Sequence, residues 1–317
     1  MTPAQRRILF AAMLGSLLLS LSALAQPPTN RKPVRIVTIP ISIFTKQELK
    51  EKQAEEFVQA DRLMAIEDGD EQAILSIKSV TDSPLSIAIL IQEDLSSGFN
   101  LQLQDIKRFI EDLPAGTRVM VAYIRGGTPE IRQKFTEDRE RAAKSLRIVT
   151  GSASSAPRSP YDGLSDILSR FDATPNGRRA VLLFSDGLDT SAGLNAASIL
   201  QSTDLDQAIL KSQKRSVAVY SFYYPTQITE QTNGTVASLA QGALDRLSNE
   251  TGGRAFAQGI SAPVSFVPSF REMTLSINRQ FSLTYLSTHM KKGYHKVRVT
   301  STNPEIKIVH PSGYYYR

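Results

Sequence analysis

Leu85 to Ile91 (Leu-Ser-Ile-Ala-Ile-Leu-Ile) is an almost unbroken apolar run, bounded by Pro84 and stopped by Gln92-Glu93-Asp94-Leu95-Ser96-Ser97-Gly98. An apolar run of this length without alternation reads as a strand buried on both faces, the kind found in parallel sheets covered by helices. The acid, hydroxyls and glycine then fall at its carboxyl end, where open α/β sheets bind their ligands.

The pattern recurs. Arg118 to Ile124, Arg179 to Ser185 and Val217 to Tyr223 read as further buried strands, and Arg254-Ala255-Phe256 as a short last one. Between them lie helical segments. Ile106, Phe109, Ile110 and Leu113 follow the i, i+3, i+4, i+7 spacing, and helices are expected over 136–146, 161–171, 196–211, 236–249 and 264–279. Ile131 to Phe135 reads as an edge strand, and Gly126-Gly127 as a turn. Strands alternating with helices of this size predict an α/β, Rossmann-like, doubly wound and mostly parallel sheet over residues 84–279.

The flanks differ. Val34 to Phe44 alternates like a strand, with Pro40 at an edge or a bulge. Residues 62–67 and the stretch from Ile74 form two strands around the Asp68-Gly69-Asp70 turn, and 46–56 is a charged, solvated segment. After residue 280 come short strands at 281–286, 295–300, 306–310 and 314–316. The expected organisation is a linker at 26–33, an N-terminal β segment at 34–83, the α/β domain at 84–279, and a C-terminal β segment at 280–317 that packs with 34–83 as a small antiparallel β domain.

Residues 1–25 have the form of a secretory signal peptide: Arg6-Arg7, an apolar core over 8–21, and Ala23-Leu24-Ala25 as the cleavage site. The alternative, an uncleaved anchor, meets an apolar core short for a bilayer span. The expectation is an exported bacterial protein, periplasmic or secreted, with no membrane span after cleavage. Cysteine is absent, which excludes disulfides, thiolate metal sites and a cysteine nucleophile. The formal net charge is +6, and removal of Arg6 and Arg7 with the leader lowers it by two. The basic residues are scattered or paired and form no long run, so nucleic acid is not an expected partner.

The α/β region resembles a von Willebrand factor A (VWA) domain. Asp94-Leu95-Ser96-Ser97-Gly98 stands where that family has its Asp-x-Ser-x-Ser metal loop, Phe184-Ser185-Asp186-Gly187 matches the later strand ending in Asp-Gly, and 247–256 resembles the last helix-to-strand junction. The flanks resemble those of exported bacterial members, with Ile66-Glu67-Asp68-Gly69 before the domain and Gly313-Tyr314 after it. The resemblance implies a metal-ion-dependent adhesion site, here degenerate, with Asp94, Ser96 and Asp186 as ligands to Mg2+ and Ser97 and Ser159 as secondary candidates. Two positions depart from the pattern. Gly98 replaces a hydroxyl, and Arg158 or Ser159 stands where the family has threonine. Arg158 could place its charge near Asp94 and Asp186 in the cation's stead; the alternative is a vestigial loop that only caps helices.

An enzyme is not expected. The three histidines, His289, His295 and His310, all lie in the C-terminal β segment, and no nucleophile elbow, phosphate-binding loop or dinucleotide fingerprint is present. The expected function is an exported, non-enzymatic protein-binding module that presents Asp94, Ser96, Ser97, Arg158, Ser159 and Asp186 to a protein or peptide partner. The alternative is a structural or assembly component of an envelope or secreted complex with an inert, metal-free site.

Overall fold

A computed structural model of the protein describes residues 33–45, 63–80, 83–151, 158–175, 177–191, 193, 198–199, 201–232 and 234–316. The proposed leader, nearly all of the linker and the charged segment at 46–56 lie outside the described residues. Arg35–Arg317 forms one compact unit.

The strands are β1 (Arg35–Thr45), β2 (Leu63–Glu67), β3 (Asp70–Ser79), β4 (Leu85–Gln92), β5 (Arg118–Arg125), β6 (Thr128–Thr136), β7 (Arg178–Ser185), β8 (Ala218–Tyr223), β9 (Ala255–Phe256), β10 (Gln280–Ser287), β11 (Gly293–Ser301), β12 (Ile306–Val309) and β13 (Gly313–Tyr316). The helices are α1 (Leu103–Glu111), α2 (Arg139–Lys144), α3 (Pro160–Leu168), α4 (Thr203–Arg215), α5 (Gln227–Gln231), α6 (Gly234–Thr251) and α7 (Val267–Asn278).

One sheet has the order β6-β5-β4-β7-β8-β9. Every pairing in it is parallel except β5 with β6. That hairpin turns on Gly126 and Gly127, whose φ of +54° and +84° suit a tight turn that only glycine adopts freely. All eight residues of β4 are buried, as the apolar run requires. Ile87, Ile89 and Ile91 face a core shared with α1 and α7, while Ala88 and Leu90 face one shared with α3, α4 and α6. Helices thus cover both faces. The chain order reverses between β4 and β7, and at such a switch point the two strand ends leave a crevice.

The second sheet is wholly antiparallel, in the order β12-β1-β10-β3-β2-β11-β13. The flanks do not merely stack. β10 inserts between β1 and β3, and β11 pairs with β2, so strands from the two ends of the chain are interleaved in one sheet. Val37, Ile39, Ile41, Leu283, Tyr285, Val297 and Val299 form its core. β1 is not an edge strand, yet β12 covers it only over Ser42–Thr45. Pro40 pairs with Ser282 on the other side, so its missing N–H falls where β1 has a single neighbour.

Three helix starts differ from the periodicity. α4 begins at Thr203, inside the segment expected as one helix over 196–211: residues 198–199 are also helical, 194–197 and 200 lie outside the described residues, and a new start forms where the Ser202 hydroxyl accepts from Leu205 N at 3.1 Å and Asp204 and Asp206 follow in the first turn. α2 begins after Asp138, whose carboxylate accepts from Arg141 N at 2.9 Å. α7 begins at Val267, where the Ser265 hydroxyl accepts from Val267 N at 3.1 Å, and Val264 is left outside it and 91 % exposed. In each case a local oxygen satisfies orphan N–H groups that hydrophobic spacing does not register.

Candidate functional site

β4 and β7 run side by side, with Ile91 opposite Phe184, so the residues that follow them emerge together at the switch point. Asp186 follows β7 directly and is fully buried. A buried carboxylate requires donors, and each of its oxygens has two. Gln92 Nε2 (3.1 Å) and Leu188 N (3.0 Å) donate to Oδ1; Thr226 Oγ1 (2.7 Å) and Arg158 Nη2 (3.1 Å) donate to Oδ2. Gln92 is itself positioned, because its Oε1 accepts from the Ser185 hydroxyl at 2.5 Å and from Asp186 N at 3.2 Å.

Arg158 completes the arrangement. Its guanidinium, only 4 % exposed, pairs through Nη1 with Asp94 and through Nη2 with Asp186. The cation therefore lies between the two carboxylates that the sequence places at the strand ends. Its backbone is held from the β7 side: Arg158 N donates to Thr190 Oγ1 at 3.0 Å, and Thr190 N donates to Arg158 O at 2.8 Å.

The hydroxyl-bearing positions divide. Ser96 is anchored by its N–H to Pro225 O at 3.0 Å, and its Oγ is buried without a hydrogen-bond partner. Ser97 is exposed. Ser159 Oγ donates to Asp189 Oδ2 at 3.2 Å, alongside Ser202 Oγ, while Ser191 supplies N–H and hydroxyl to Asp189 Oδ1 at 2.9 and 2.6 Å. At Gly98 a Cβ would lie 2.8 Å from the Tyr224 hydroxyl, so that phenol occupies the space of a third loop hydroxyl. A divalent cation held by two hydroxyls and two carboxylates does not fit these residues. A fixed positive group sits between the carboxylates, one hydroxyl position is filled by Tyr224, and another is committed to Asp189. Among the candidate hydroxyls, Ser96 Oγ is buried and keeps no hydrogen-bond partner.

The structure brings Asp94, Ser96, Arg158 and Asp186 together, with Ser159 one hydrogen bond away at Asp189 and Ser97 at the rim. Sequence reasoning missed Gln92, Asp189, Tyr224 and Thr226. The last two follow β8 in Tyr223-Tyr224-Pro225-Thr226, a hydroxyl just beyond a buried strand, and that was the available signal. The Tyr161 hydroxyl donates to Gly187 O at 2.7 Å, and its ionisation is pushed far up by burial and by the nearby Asp186 and Asp189 charges. The histidines lie elsewhere. The rings of His295 and His310 are bonded to Asp68, Lys291, Pro311 and Val299, and His289 Nε2 lies 3.4 Å from Asp70, all within the antiparallel sheet.

Beside the site, Glu93 accepts from Arg125 Nη2 at 2.8 Å and from Arg147 Nη1 at 2.7 Å. The Arg125 hydrogen bond, against the opposing effect of burial and with help from Arg147, holds its carboxyl at about 2. A depressed carboxylate stabilises the fold above the ordinary glutamate range, and this is lost as pH falls through the folded-state value. Arg125 is 69 % exposed, so solvent screens its share, and Glu93→Gln should cost about 1 kcal/mol at neutral pH. Thermal melts against pH test this: the gap between wild type and variant should close between the ordinary glutamate value and about 2. A gap of unchanged size at the acid end would rule out the ion cluster as its source.

No family model matches the sequence, and no curated protein matches it. Among solved structures, a von Willebrand factor type A protein from Catenulispora acidiphila is similar over 92 % of this chain and 75 % of its own, at 11 % identity and a TM-score of 0.42. An aerotolerance-related membrane protein from Bacteroides fragilis, in a form with multiple mutations to serine, matches over 61 % of this chain and 98 % of its own, at 14 % identity and 0.39. BatB from Bacteroides thetaiotaomicron matches over 60 % and 97 %, at 10 % identity and 0.39. The fold assignment rests on the sheet order and the two helical layers described above. Among the described residues no helix is long and apolar enough to cross a membrane.

Proposed function

We propose that this chain is an exported, non-enzymatic binding module that offers the carboxyl edge of its α/β sheet to a protein or peptide, and does so without a divalent cation. The observation that carries this is Arg158 between Asp94 and Asp186. A guanidinium has fixed charge and planar donors suited to carboxylates. It gives the edge a permanent electrostatic arrangement that neither chelation nor ion supply changes. Export is read from residues 1–25 and belongs to the same proposal.

The interleaved flanks support a second reading, an assembly component with an inert edge. The seven-stranded sheet ends in β12 and β13, and an unpaired strand edge is a template for another chain. Photo-cross-linking in the exporting cell separates the two. A cross-linker at Ser97, exposed at the rim of the edge, should capture a partner with equal yield in the presence and absence of EDTA. Capture from Lys307 on β12 with none from Ser97 would reject the edge as the binding face. Capture from Ser97 abolished by EDTA would reject cation independence.

A further inference from the structure

We propose that the antiparallel sheet carries a first-row divalent metal site, suited to Zn2+, formed by Glu67, Asp68 and His295. It is separate from the carboxyl edge and does not depend on the function proposed for that edge.

Strand register builds the site. β2 ends at Glu67, which pairs with Val297 on β11. His295 lies two residues from Val297 and therefore on the same face as Glu67. Asp68 follows in the turn, at φ +49°, and its Oδ1 accepts from Lys296 N at 2.8 Å, which folds the carboxylate back over β11. One ligand atom from each residue lies within 4.8 Å of the others. Glu67 Oε1 is 3.3 Å and Asp68 Oδ2 2.7 Å from His295 Nδ1.

Two further observations support a cation site here. Glu67 is fully buried, and its Oε1 takes Arg35 Nη2 (3.1 Å), Ser287 Oγ (2.9 Å) and Tyr314 Oη (2.8 Å), yet its Oε2 is buried with no hydrogen-bond partner. His295 is also buried. Its Nε2 lies 2.7 Å from Lys291 O, a group that only accepts, so Nε2 carries a hydrogen. Its Nδ1 faces two carboxylates, which also only accept, with Asp68 Oδ2 at 2.7 Å. Nδ1 thus points at oxygens of both other members of the cluster, the direction in which a ligating nitrogen would meet a metal. A ligating histidine that donates its other N–H to a backbone carbonyl is the usual support of a metal site.

A cavity of about 560 Å³, lined in part by Asp68, His289, Lys291 and His295, opens beside the cluster. It leaves room for water or a further ligand, and His289, whose Nε2 makes no hydrogen bond, also lines it. One imidazole with two carboxylates suits zinc and its neighbours better than magnesium or calcium, which favour oxygen alone. The metal would tie the β2–β3 turn, from the start of the chain, to β11 near its end.

Calorimetric titration of the EDTA-treated and dialysed full chain with ZnCl2 tests the site. One equivalent should bind, with a saturable heat. His295→Gln should abolish binding. Asp68→Asn, at a side chain 34 % exposed and therefore tolerant of change, should weaken it at least tenfold while leaving the circular-dichroism melt intact. His310→Gln, a histidine outside the cluster, should leave it unchanged. Absence of saturable uptake by the folded wild type, or uptake that survives both cluster substitutions, would overturn the proposal and leave His295 as a hydrogen-bonded clasp between Asp68 and Lys291.

Discussion

Replacing Arg158 by alanine should destabilise the protein by about 3–5 kcal/mol, the usual cost of removing one partner from a buried ion pair. Asp186 is fully exposed to no solvent and the Asp94 side chain to only 14 %, so neither carboxylate can recover its charge balance from water. Gln92, Leu188 N and Thr226 still donate to Asp186, but they are neutral. The variant should also gain what the wild type lacks. With the guanidinium gone, Asp94, Asp186 and Ser96 Oγ leave a gap lined by hard oxygens, the donors that Mg2+ accepts. Chemical denaturation in EDTA and in millimolar Mg2+ should show a magnesium-dependent gain for Arg158→Ala and none for wild type. An equal gain in both proteins, or in neither, would contradict the view that Arg158 occupies the cation's place. Pairing Arg158→Ala with Asp94→Asn should cost less than the sum of the single changes, because each removes the other's uncompensated charge.

Phe184→Ala should cost about 3–5 kcal/mol, at the upper end of large-to-small core changes. Phe184 is fully buried and is the centre of an aromatic cluster. Its ring stacks on Phe222 at 4.8 Å between centroids and meets Phe266 and Phe99 edge-on at 5.3 and 5.8 Å. These partners come from β8, the turn before α7 and the 3-10 turn after β4. The surrounding ring is built from rigid side chains already in contact with one another, so the cavity cannot readily collapse. Leu101→Ala, at a side chain 82 % exposed, should change the denaturation midpoint little. A loss below about 1 kcal/mol for Phe184→Ala would mean that the cluster repacks and does not define the β4–β7 spacing.

Much of the fold was legible because its signals are local. The apolar run of β4, the glycine pair between β5 and β6, and the spacing of Ile106, Phe109 and Ile110 each report a burial pattern within one element. The site was legible in part for the same reason. Asp94 and Asp186 end buried strands, and a strand end in a doubly wound sheet is a predictable place. Arg158 was visible as a departure from the expected threonine, with two possible consequences. Where its guanidinium lies depends on the packed chain, including Thr190, whose contacts with the Arg158 backbone span 32 positions of sequence.

The sequence by itself determined which segments become strands and helices and that acidic residues gather at one sheet edge, because burial periodicity and turn chemistry act over a few residues. Only the tertiary structure decided what those acids face. Four donors converge on Asp186 from three separate loops and one strand end, and Tyr224 fills the space beside Gly98 from the far side of β8. It also decided how the flanks combine, since β10 takes its place between β1 and β3 only once both ends of the chain are present. A buried charge is satisfied by whatever the fold brings within about 3 Å of it, and that proximity is a property of the packed chain that neighbouring residues in the sequence do not encode.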